Sequence, residues 1–189
     1  MQFSLKGLKH MNIWHHIEKD RIEPEEFYAC IEISKGSRNK YELDKKTGLL
    51  KLDRVLYTSM IYPANYGFIP RTLAADNDPL DVMVLCQESI RPMTLVKCKP
   101  IGMVIMTDSD CDDEKIVCVP VGDPAYCNYN DISELPAHTF EKMIHFFEFY
   151  KTLEGKTVRI EGAPQGRDVA VATIKKYIDS YENYFGGRV

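Results

Sequence analysis

The sequence predicts an α+β fold that is mainly β, in which short strands form a sandwich or a small barrel and two helices follow. Short apolar runs separated by turn residues fill the middle of the chain. Two later segments carry apolar side chains at helical spacing. The 189 residues, 44% of them hydrophobic, are enough for one domain with a substantial core, and we expect residues 1–189 to form a single domain.

Strands are predicted from these apolar runs in order along the chain. The first is expected at residues 27–33. Residues 40–43 and 49–56 are predicted to form a hairpin whose turn ends at Gly48, a residue suited to a left-handed backbone conformation. Further strands are expected at 82–86, 95–106 and 115–119. Gly102 inside the long strand indicates a bulge or a sharp bend there.

Two helices are predicted after the strands. Residues 139–153 carry a mostly core-facing apolar stripe, with Gly155 as the stop signal. Residues 168–185 form the second helix, with Asp168 as its N-cap. A shorter helix is expected near residues 12–19. His15 and His16 in that segment are adjacent and point to different faces, so we interpret them as surface or core residues and not as ligands.

Composition and charge exclude several classes of protein. The formal net charge of -4 gives no support to a general nucleic-acid binder. No apolar run is long enough to span a membrane, and the first residues lack the apolar core of a signal peptide. The six cysteines include no CxxC pair, so zinc and redox motifs have no support. Because most of these cysteines lie in apolar runs and are expected to be reduced, a cytoplasmic protein is favoured.

The run Asp76-Asn77-Asp78-Pro79-Leu80-Asp81 places three carboxylates within six residues, directly before an apolar strand. Carboxylates packed so closely repel one another, and hard divalent cations offset that repulsion best. Mg²⁺ and Mn²⁺ prefer carboxylate oxygen and water. A solvated acidic turn is the open alternative. A calcium loop of the EF-hand type fits poorly, because Asp81 stands where that loop needs glycine.

A second acidic run covers residues 108–114, is predicted as a loop, and is followed by Lys115. Such a run on its own is more often a solvated charge cluster than a site. Two acid-rich loops on one β scaffold could nevertheless converge on a pair of metals, which clamp both oxygens of an in-line phosphoryl transfer.

A phosphoryl substrate also needs cations from the protein. The guanidinium of Arg54 suits bidentate phosphate binding, whereas lysine acts as a point charge. Tyr62 and Tyr66 flank a segment rich in proline and glycine that is predicted as an ordered loop, where the phenols either donate to phosphate or pack against the sheet. The candidate cations, each at the end or edge of a predicted element, are Lys40, Arg54, Lys115 and Lys151.

Taken in order, these segments resemble the family I soluble inorganic pyrophosphatases, and the compact length resembles the bacterial type. The acidic run of residues 76–82 is similar to the signature of that family. Lys40-Tyr41-Glu42 resembles its KYE strand, residues 62–67 resemble its YPxNYG loop, and residues 145–151 resemble its HFFxxYK helix. The match runs in register from about Trp14 to about Lys175.

The resemblance implies an OB-like five-stranded barrel with flanking helices. It implies hydrolysis of pyrophosphate to two phosphates, by in-line attack of a metal-activated water and without a covalent phospho-enzyme. Several Mg²⁺ ions are the implied cofactors, with Mn²⁺ or Zn²⁺ as substitutes. The implied assembly is a homohexamer of two trimers, with neither nucleic acid nor a membrane as a partner.

The resemblance also implies a role for each matching residue. Asp78 would be the general base. Asp81 would bridge two metals, and Asp108 would help to hold a metal that arrives with the substrate. The implied metal-site residues are Asp76, Asp81, Asp108 and Asp113, with Glu32 and Glu42 in the outer shell. The implied substrate-binding residues are Lys40, Arg54, Lys115, Tyr150 and Lys151, and Tyr62 and Tyr66 would contact substrate or order the acids.

Two positions depart from the family pattern. Ser34 stands where proline is frequent, which is expected to loosen the turn after Glu32. Ser109 stands where a second acid is frequent, which would weaken the outer metal unless Asp110 or Asp112 compensates. Two other classes of function stay open on the residues alone. One is an OB-like module that binds nucleic acid or nucleotides without chemistry, and the other is a metal-dependent phosphatase or nuclease acting on esters.

Overall fold

Five strands of the chain close into a ring in the computed structural model, which describes residues 11–108 and 111–187. Neighbours around the ring are β1, β4, β5, β7 and β6, and β1 also pairs with β6. The pair β5–β7 is parallel, and the other ring pairs are antiparallel. The strands are β1 (Phe27–Ile33), β2 (Asn39–Leu43), β3 (Leu50–Val55), β4 (Asn65–Phe68), β5 (Asp81–Val84), β6 (Leu95–Asp108), β7 (Cys111–Pro120), β8 (Val158–Ile160) and β9 (Gln165–Gly166).

Two α-helices flank the ring, α1 (Ala137–Phe149) and α2 (Arg167–Phe185). Met143, Phe146 and Phe147 of α1 pack into one apolar core with β4, β5 and β7 side chains. Ile174 and Tyr177 of α2 belong to a second core. The prediction of a mainly β fold with two later helices is therefore confirmed. No helix within the described residues has the length and apolar character needed to cross a bilayer.

The predicted hairpin is confirmed as β2–β3, which forms a two-stranded sheet of its own beside the ring. Gly48 in its turn has a φ of 71°, as its left-handed assignment required. The bend predicted at Gly102 is confirmed by a shift of the β6–β7 register between Pro100 and Gly102. Strands β8 and β9 extend the sheet from β6 and were not predicted.

Several expected elements are wrong. Residues 12–19 do not form a helix, because the Asn12 side chain accepts from Trp14 N at 3.0 Å and so favours a turn. That turn precedes a 3-10 helix at Lys19–Arg21. The segment predicted as a loop around Tyr66 contains the buried strand β4. The second acidic run is also not simply a loop, since β6 extends to Asp108 and β7 begins at Cys111.

The predicted N-cap of the last helix is also wrong. Helix α2 begins at Arg167 with Gly166 at its N-cap, so Asp168 lies within the first turn. The Asp131 carboxylate replaces a local cap by accepting from Arg167 N at 2.8 Å. The two histidines have structural partners, as expected: His15 Nδ1 lies 2.7 Å from the Tyr181 hydroxyl, and His16 Nδ1 accepts from Asn12 N.

Candidate functional site

Acidic and basic side chains from both predicted clusters line a single open cavity of about 490 Å³. The hairpin β2–β3, the acidic loop before β5, strand β7 and the end of α1 surround it. Of the predicted site residues, Arg54 and Tyr62 lie next to the cavity without lining it, and the side chain of Asp108 lies outside the described part of the chain. The predicted residues that line the cavity are Glu32, Lys40, Glu42, Tyr66, Asp76, Asp78, Asp81, Asp113, Lys115, Tyr150 and Lys151.

The acidic loop before β5 is a tight turn closed by its own groups. Asp78 N donates to the Asp76 carboxylate at 3.0 Å, and Ala74 N donates to the Asp78 carbonyl at 2.8 Å. Asn77 has a φ of 67°, a conformation that asparagine tolerates better than most residues do. The buried side chain of Leu80 anchors the end of the loop. Asp76 and Asp78 are thus turned toward the same cavity that Asp81 faces from the first position of β5.

Lys115 lies at the centre of the carboxylate cluster. Its position in β7 is in register with Asp81 of the parallel strand β5, and Asp113 lies two residues earlier on the same face. Its side chain is 5% exposed, and its ammonium contacts the carboxylates of both Asp81 and Asp113. Burial alone would lower the pKa of Lys115, but these two carboxylates raise it, so the lysine stays charged. Part of the repulsion between the acids is therefore offset by a lysine within the chain.

Burial and mutual repulsion raise the pKa values of three cavity acids. Burial, and then the charge of Asp81, raise the pKa of Glu32 to about 8. Burial is also the largest cause for Asp113, whose pKa rises to about 6 although Lys115 opposes the shift. The pKa of Asp76 is raised by burial and by Asp81. A pocket that pushes several carboxyl pKa values upward is one in which an added cation would be stabilised.

Glu32 connects the ring to the hairpin. It lies near the end of β1, is buried, and accepts from Leu43 N of β2 at 2.7 Å. The turn that follows is not left loose by Ser34, since the Ser34 hydroxyl donates to the Ile90 carbonyl at 2.7 Å. Ser109, the other departure, lies outside the described residues together with Asp110, and the side chain of Asp112 is likewise not described.

The hairpin carries a network of opposite charges beside the cavity. Lys40 contacts Glu42 and lies 3.5 Å from the Asp53 carboxylate. Arg54 contacts the same Asp53, and its Nε donates to Glu154 at 2.9 Å. The two cations face each other across β2 and β3, where Lys40 and Arg54 are in register. The Lys40 and Arg54 side chains are therefore positioned by carboxylates beside the cavity, where a bound anion could contact them.

Three tyrosines form the apolar wall behind these charges. Tyr66 is buried near Lys115, whose ammonium lies 5.9 Å from the centre of its ring. The Tyr62 ring packs 4.7 Å from that of Phe146, which also stacks on Tyr150 at 5.0 Å between ring centres. Burial raises the pKa values of Tyr62 and Tyr66 well above the usual range, so both phenols stay protonated.

Lys45 is one of several charged residues lining the cavity that were missed from the sequence, together with Asp44, Lys46 and Lys51. The ammonium of Lys45 contacts the Asp78 carboxylate and lies 3.5 Å from the Asn77 carbonyl. Lys45 belongs to the hairpin turn, where a lysine ordinarily reads as a solvated charge. The only local signal was its place three residues after the matched Lys40-Tyr41-Glu42 segment, because the contact with Asp78 joins residues 33 positions apart.

The donors of the cavity fit a divalent cation by their chemistry. Four aspartates present oxygen atoms to one space, which is the ligand type that Mg²⁺ and Mn²⁺ take, and two of them already share the ammonium of Lys115. Among residues 11–108 and 111–187, no three histidine, cysteine, aspartate or glutamate side chains are grouped closely enough to form a complete metal cluster. The four aspartates are Asp76, Asp78, Asp81 and Asp113.

Comparisons with known proteins give one consistent result. A family model described as inorganic pyrophosphatase matches residues 29–182. Soluble inorganic pyrophosphatase 1 of Arabidopsis thaliana is 46% identical over 171 residues, which are 90% of this chain and 80% of that protein. The inorganic pyrophosphatase of Picrophilus torridus is 42% identical over 174 residues, 92% of this chain and 98% of that protein.

Solved structures of bacterial inorganic pyrophosphatases are similar to this chain as well. The Helicobacter pylori structure has a TM-score of 0.82 at 41% identity and covers 85% of this chain and 96% of its own. The Thermus thermophilus structure has a TM-score of 0.82 at 36% identity, covering 93% and 98%.

Proposed function

The chain belongs to the family I soluble inorganic pyrophosphatases, and from that membership we propose that it hydrolyses inorganic pyrophosphate to two phosphates. The observation that carries the proposal is the single cavity in which four aspartates face lysines of the hairpin, of β7 and of the end of α1. Acids suit hard cations, and lysines suit a small, highly charged anion. A pyrophosphatase needs both kinds of group in one place.

We propose that divalent cations, Mg²⁺ first and Mn²⁺ or Zn²⁺ as substitutes, are held by these acids. Asp76, Asp81 and Asp113 are the main ligands, with Asp108 for a cation that accompanies the substrate. Glu32 and Glu42 lie in the outer shell. When bound, such cations supply Lewis-acid activation of a water molecule and neutralise phosphate charge.

The chain contributes the base and the positioning. The Asp78 carboxylate accepts the proton of the attacking water, for which its place on the exposed rim of the cavity leaves room. Water attacks in line with the leaving phosphate, so no phospho-enzyme forms and no side chain acts as a nucleophile. The protein lowers the activation barrier mainly by orienting the reactants and by preorganised charges that stabilise the transition state.

The cations of the cavity bind the two phosphates. Lys40 and Arg54 reach from the hairpin, and Lys115 lies at the floor between its carboxylates. Lys151 and Tyr150 complete the wall from the end of α1. Because their phenols stay protonated, Tyr62 and Tyr66 can act as hydrogen-bond donors or as packing groups but not as bases.

Further properties belong to the same proposal. We propose that the ring of five strands is an OB-like barrel within a single domain of residues 1–189. The protein works in the cytoplasm as a homohexamer of two trimers, which light scattering of the purified protein would test. Neither nucleic acid nor a membrane is proposed as a partner.

Phosphate release from pyrophosphate, measured with Mg²⁺ and again with excess chelator, tests the reaction. Rapid release that chelator abolishes is the expected result. A panel of phosphate monoesters and short oligonucleotides runs in parallel, and pyrophosphate should be preferred because the crowded cations suit a small anion. A folded protein that releases phosphate only from esters, or that only binds oligonucleotide, would overturn the proposal.

A further inference from the structure

A lysine outside the predicted site, Lys45, contacts the carboxylate of the proposed base. We propose that Lys45 is a further substrate-contacting cation, whose ammonium pairs with the Asp78 carboxylate before the substrate binds and contacts a phosphate of the substrate once it is bound. The inference rests on the proposed function, since it names pyrophosphate as the anion that Lys45 receives. It adds a specificity-determining residue on the hairpin turn, at the mouth of the cavity.

The Lys45–Asp78 pair is suited to exchange because it is open to solvent. The Lys45 side chain is 47% exposed and that of Asp78 49%. Exposed pairs of this kind contribute little stability, about 0–1 kcal/mol, so a stronger anion can displace the carboxylate. Lys115, in contrast, is 5% exposed and held between two carboxylates. Of these two lysines, Lys45 is the one with freedom to move.

The backbone that carries Lys45 is nevertheless fixed by the sequence of the turn. The Asp44 side chain accepts from the Thr47 hydroxyl at 2.6 Å, and the Asp44 carbonyl accepts from Gly48 N at 2.8 Å. Gly48 packs so closely on residues 11–12 that a Cβ there would lie 2.5 Å from the Met11 carbonyl oxygen. Only the flexible four-carbon stem of Lys45 remains to move its ammonium.

Residues 12–14 bind this turn to the acidic side of the cavity. Asn12 donates through its side chain to the Lys45 carbonyl at 2.8 Å, and the Lys45 ammonium lies 5.7 Å from the centre of the Trp14 ring. Trp14 in turn donates to the Thr72 carbonyl at 2.9 Å and accepts from Arg71 N at 2.9 Å. The turn and the chain leading to the acidic loop are therefore held by one segment, which fixes Lys45 opposite Asp78.

This arrangement makes the base respond to the charge of the substrate. The ammonium of Lys45 contacts Asp78 Oδ1, an oxygen that is buried although the side chain as a whole is half exposed, so a water molecule reaches this oxygen after the ammonium has moved. Pyrophosphate carries more negative charge than one carboxylate and competes better for the ammonium. An anion of lower charge competes less well and leaves the base paired. Lys45 thus favours highly charged substrates through contact, not through shape.

Lys45→Gln, Lys45→Arg and Lys175→Gln test the assignment. Lys175 is the control, since it is an exposed lysine of α2 that lies outside the lining of the cavity. Calorimetry measures the affinity for methylenediphosphonate, a pyrophosphate analogue that is not hydrolysed, with Mg²⁺ and again in chelator. Turnover of pyrophosphate gives KM and kcat separately, and thermal unfolding confirms that each variant is folded.

We expect Lys45→Gln to lower the affinity for the analogue about tenfold and to raise KM for pyrophosphate about tenfold, with a smaller change in kcat. Each tenfold change is the effect of losing one charged hydrogen bond. Lys45→Arg should restore most of the affinity, and Lys175→Gln should stay within about twofold of wild type. The proposal would be overturned if Lys45→Gln bound the analogue as tightly as wild type does, both with Mg²⁺ and in chelator. A fall in kcat with unchanged KM and affinity would also overturn it, because Lys45 would then act on Asp78 alone.

The two proposals fail in different ways. If wild-type protein binds the analogue through Lys45 but does not hydrolyse pyrophosphate, the reaction is wrong and the contact stands. If wild-type protein hydrolyses pyrophosphate and Lys45→Gln changes neither analogue affinity nor KM, the reaction stands and the role of Lys45 is wrong.

Discussion

The carboxylate of Glu32 accepts a hydrogen bond from the backbone N–H of Leu43 at 2.7 Å, and this bond joins the ring of strands to the separate hairpin. The bond is charge-assisted only when Glu32 is ionised, yet burial and the charge of Asp81 raise its pKa to about 8. The same residue therefore connects two sheets and, when it is ionised, lowers the free energy of unfolding, so its effect on stability depends on pH.

That cost gives a prediction for stability against pH. Because the pKa of Glu32 is raised from 4.5 to about 8 in the folded state, the folded protein binds the proton more tightly than the unfolded chain does. The free energy of unfolding therefore falls as pH rises from about 4.5 to about 8 and levels off above it. Glu32→Gln keeps an acceptor for Leu43 N and removes this loss. At pH 9 in chelator its free energy of unfolding should therefore be higher than that of wild type by on the order of 4 kcal/mol.

Urea unfolding at pH 5, 7 and 9 measures the effect. Glu88→Gln is the control, since Glu88 is exposed and should give the same small difference at every pH. A Glu32→Gln curve parallel to that of wild type would show that Glu32 is ionised in both states, contrary to the prediction.

Lys115 gives a second prediction, because it offsets two carboxylates in a buried setting. Lys115→Met keeps the length of the side chain but leaves Asp81 and Asp113 without their shared ammonium. In chelator, the free energy of unfolding of Lys115→Met should be about 3 kcal/mol below that of wild type, which corresponds to a Tm lower by roughly 6–12 °C for a chain of this size. Mg²⁺ should raise the Tm of Lys115→Met more than that of wild type, because the carboxylates no longer compete with an internal cation.

The triple variant Lys115→Met, Asp81→Asn, Asp113→Asn is the matched control for that effect. The triple variant removes the two carboxylates that the lysine neutralises together with the lysine, so its Tm in chelator should lie above that of Lys115→Met, and Mg²⁺ should change its Tm least. Equal Tm values for the single and triple variants would show that packing, and not charge, determines the cost.

The contrast between these two sites and the sequence shows what local patterns can predict. The hairpin was predictable because its strands and its turn residue Gly48 are contiguous. The position of Lys115 was predicted only as the edge of an element, since its burial depends on β5, about 30 residues earlier in the chain. Lys45 was missed for the same reason, because residues 11–14 and the acidic loop fix its position from outside the turn.

Strand β4 was missed for a different reason, namely composition. Residues 62–67 contain a proline, an asparagine and a glycine and so read as a loop, but Asn65–Phe68 pairs with both β1 and β5 and is buried throughout. Neighbouring strands, not the propensities of its own residues, make it a strand. The family motif therefore lies partly on rigid sheet, which places Tyr66 beside Lys115.

Gly67 in that strand gives a third prediction. It pairs with Ile31 of β1, and a Cβ at this position would overlap the carbonyl oxygen of Cys30. Gly67→Ala should therefore push β4 away from β1 and lower the free energy of unfolding by more than about 3 kcal/mol. Gly122→Ala is the control, because a Cβ there meets nothing within 4 Å. Urea unfolding of both variants decides, and a Gly67→Ala loss no larger than that of Gly122→Ala would contradict the prediction.

The last prediction concerns Asp78 itself. Its backbone makes the contacts that close the acidic loop: its N–H donates to Asp76, and its carbonyl accepts from Ala74 N. Its half-exposed side chain contacts the Lys45 ammonium, and an exposed ion pair of this kind contributes little to stability. Asp78→Asn should therefore keep the fold, with a Tm within a few degrees of wild type, while kcat for pyrophosphate falls by about 10²–10⁴, the usual contribution of a general base. Asp179→Asn, on the exposed surface of α2, is the control and should leave both quantities unchanged. Normal turnover by folded Asp78→Asn would remove this residue from the role of base and leave the remaining acids of the cavity as candidates.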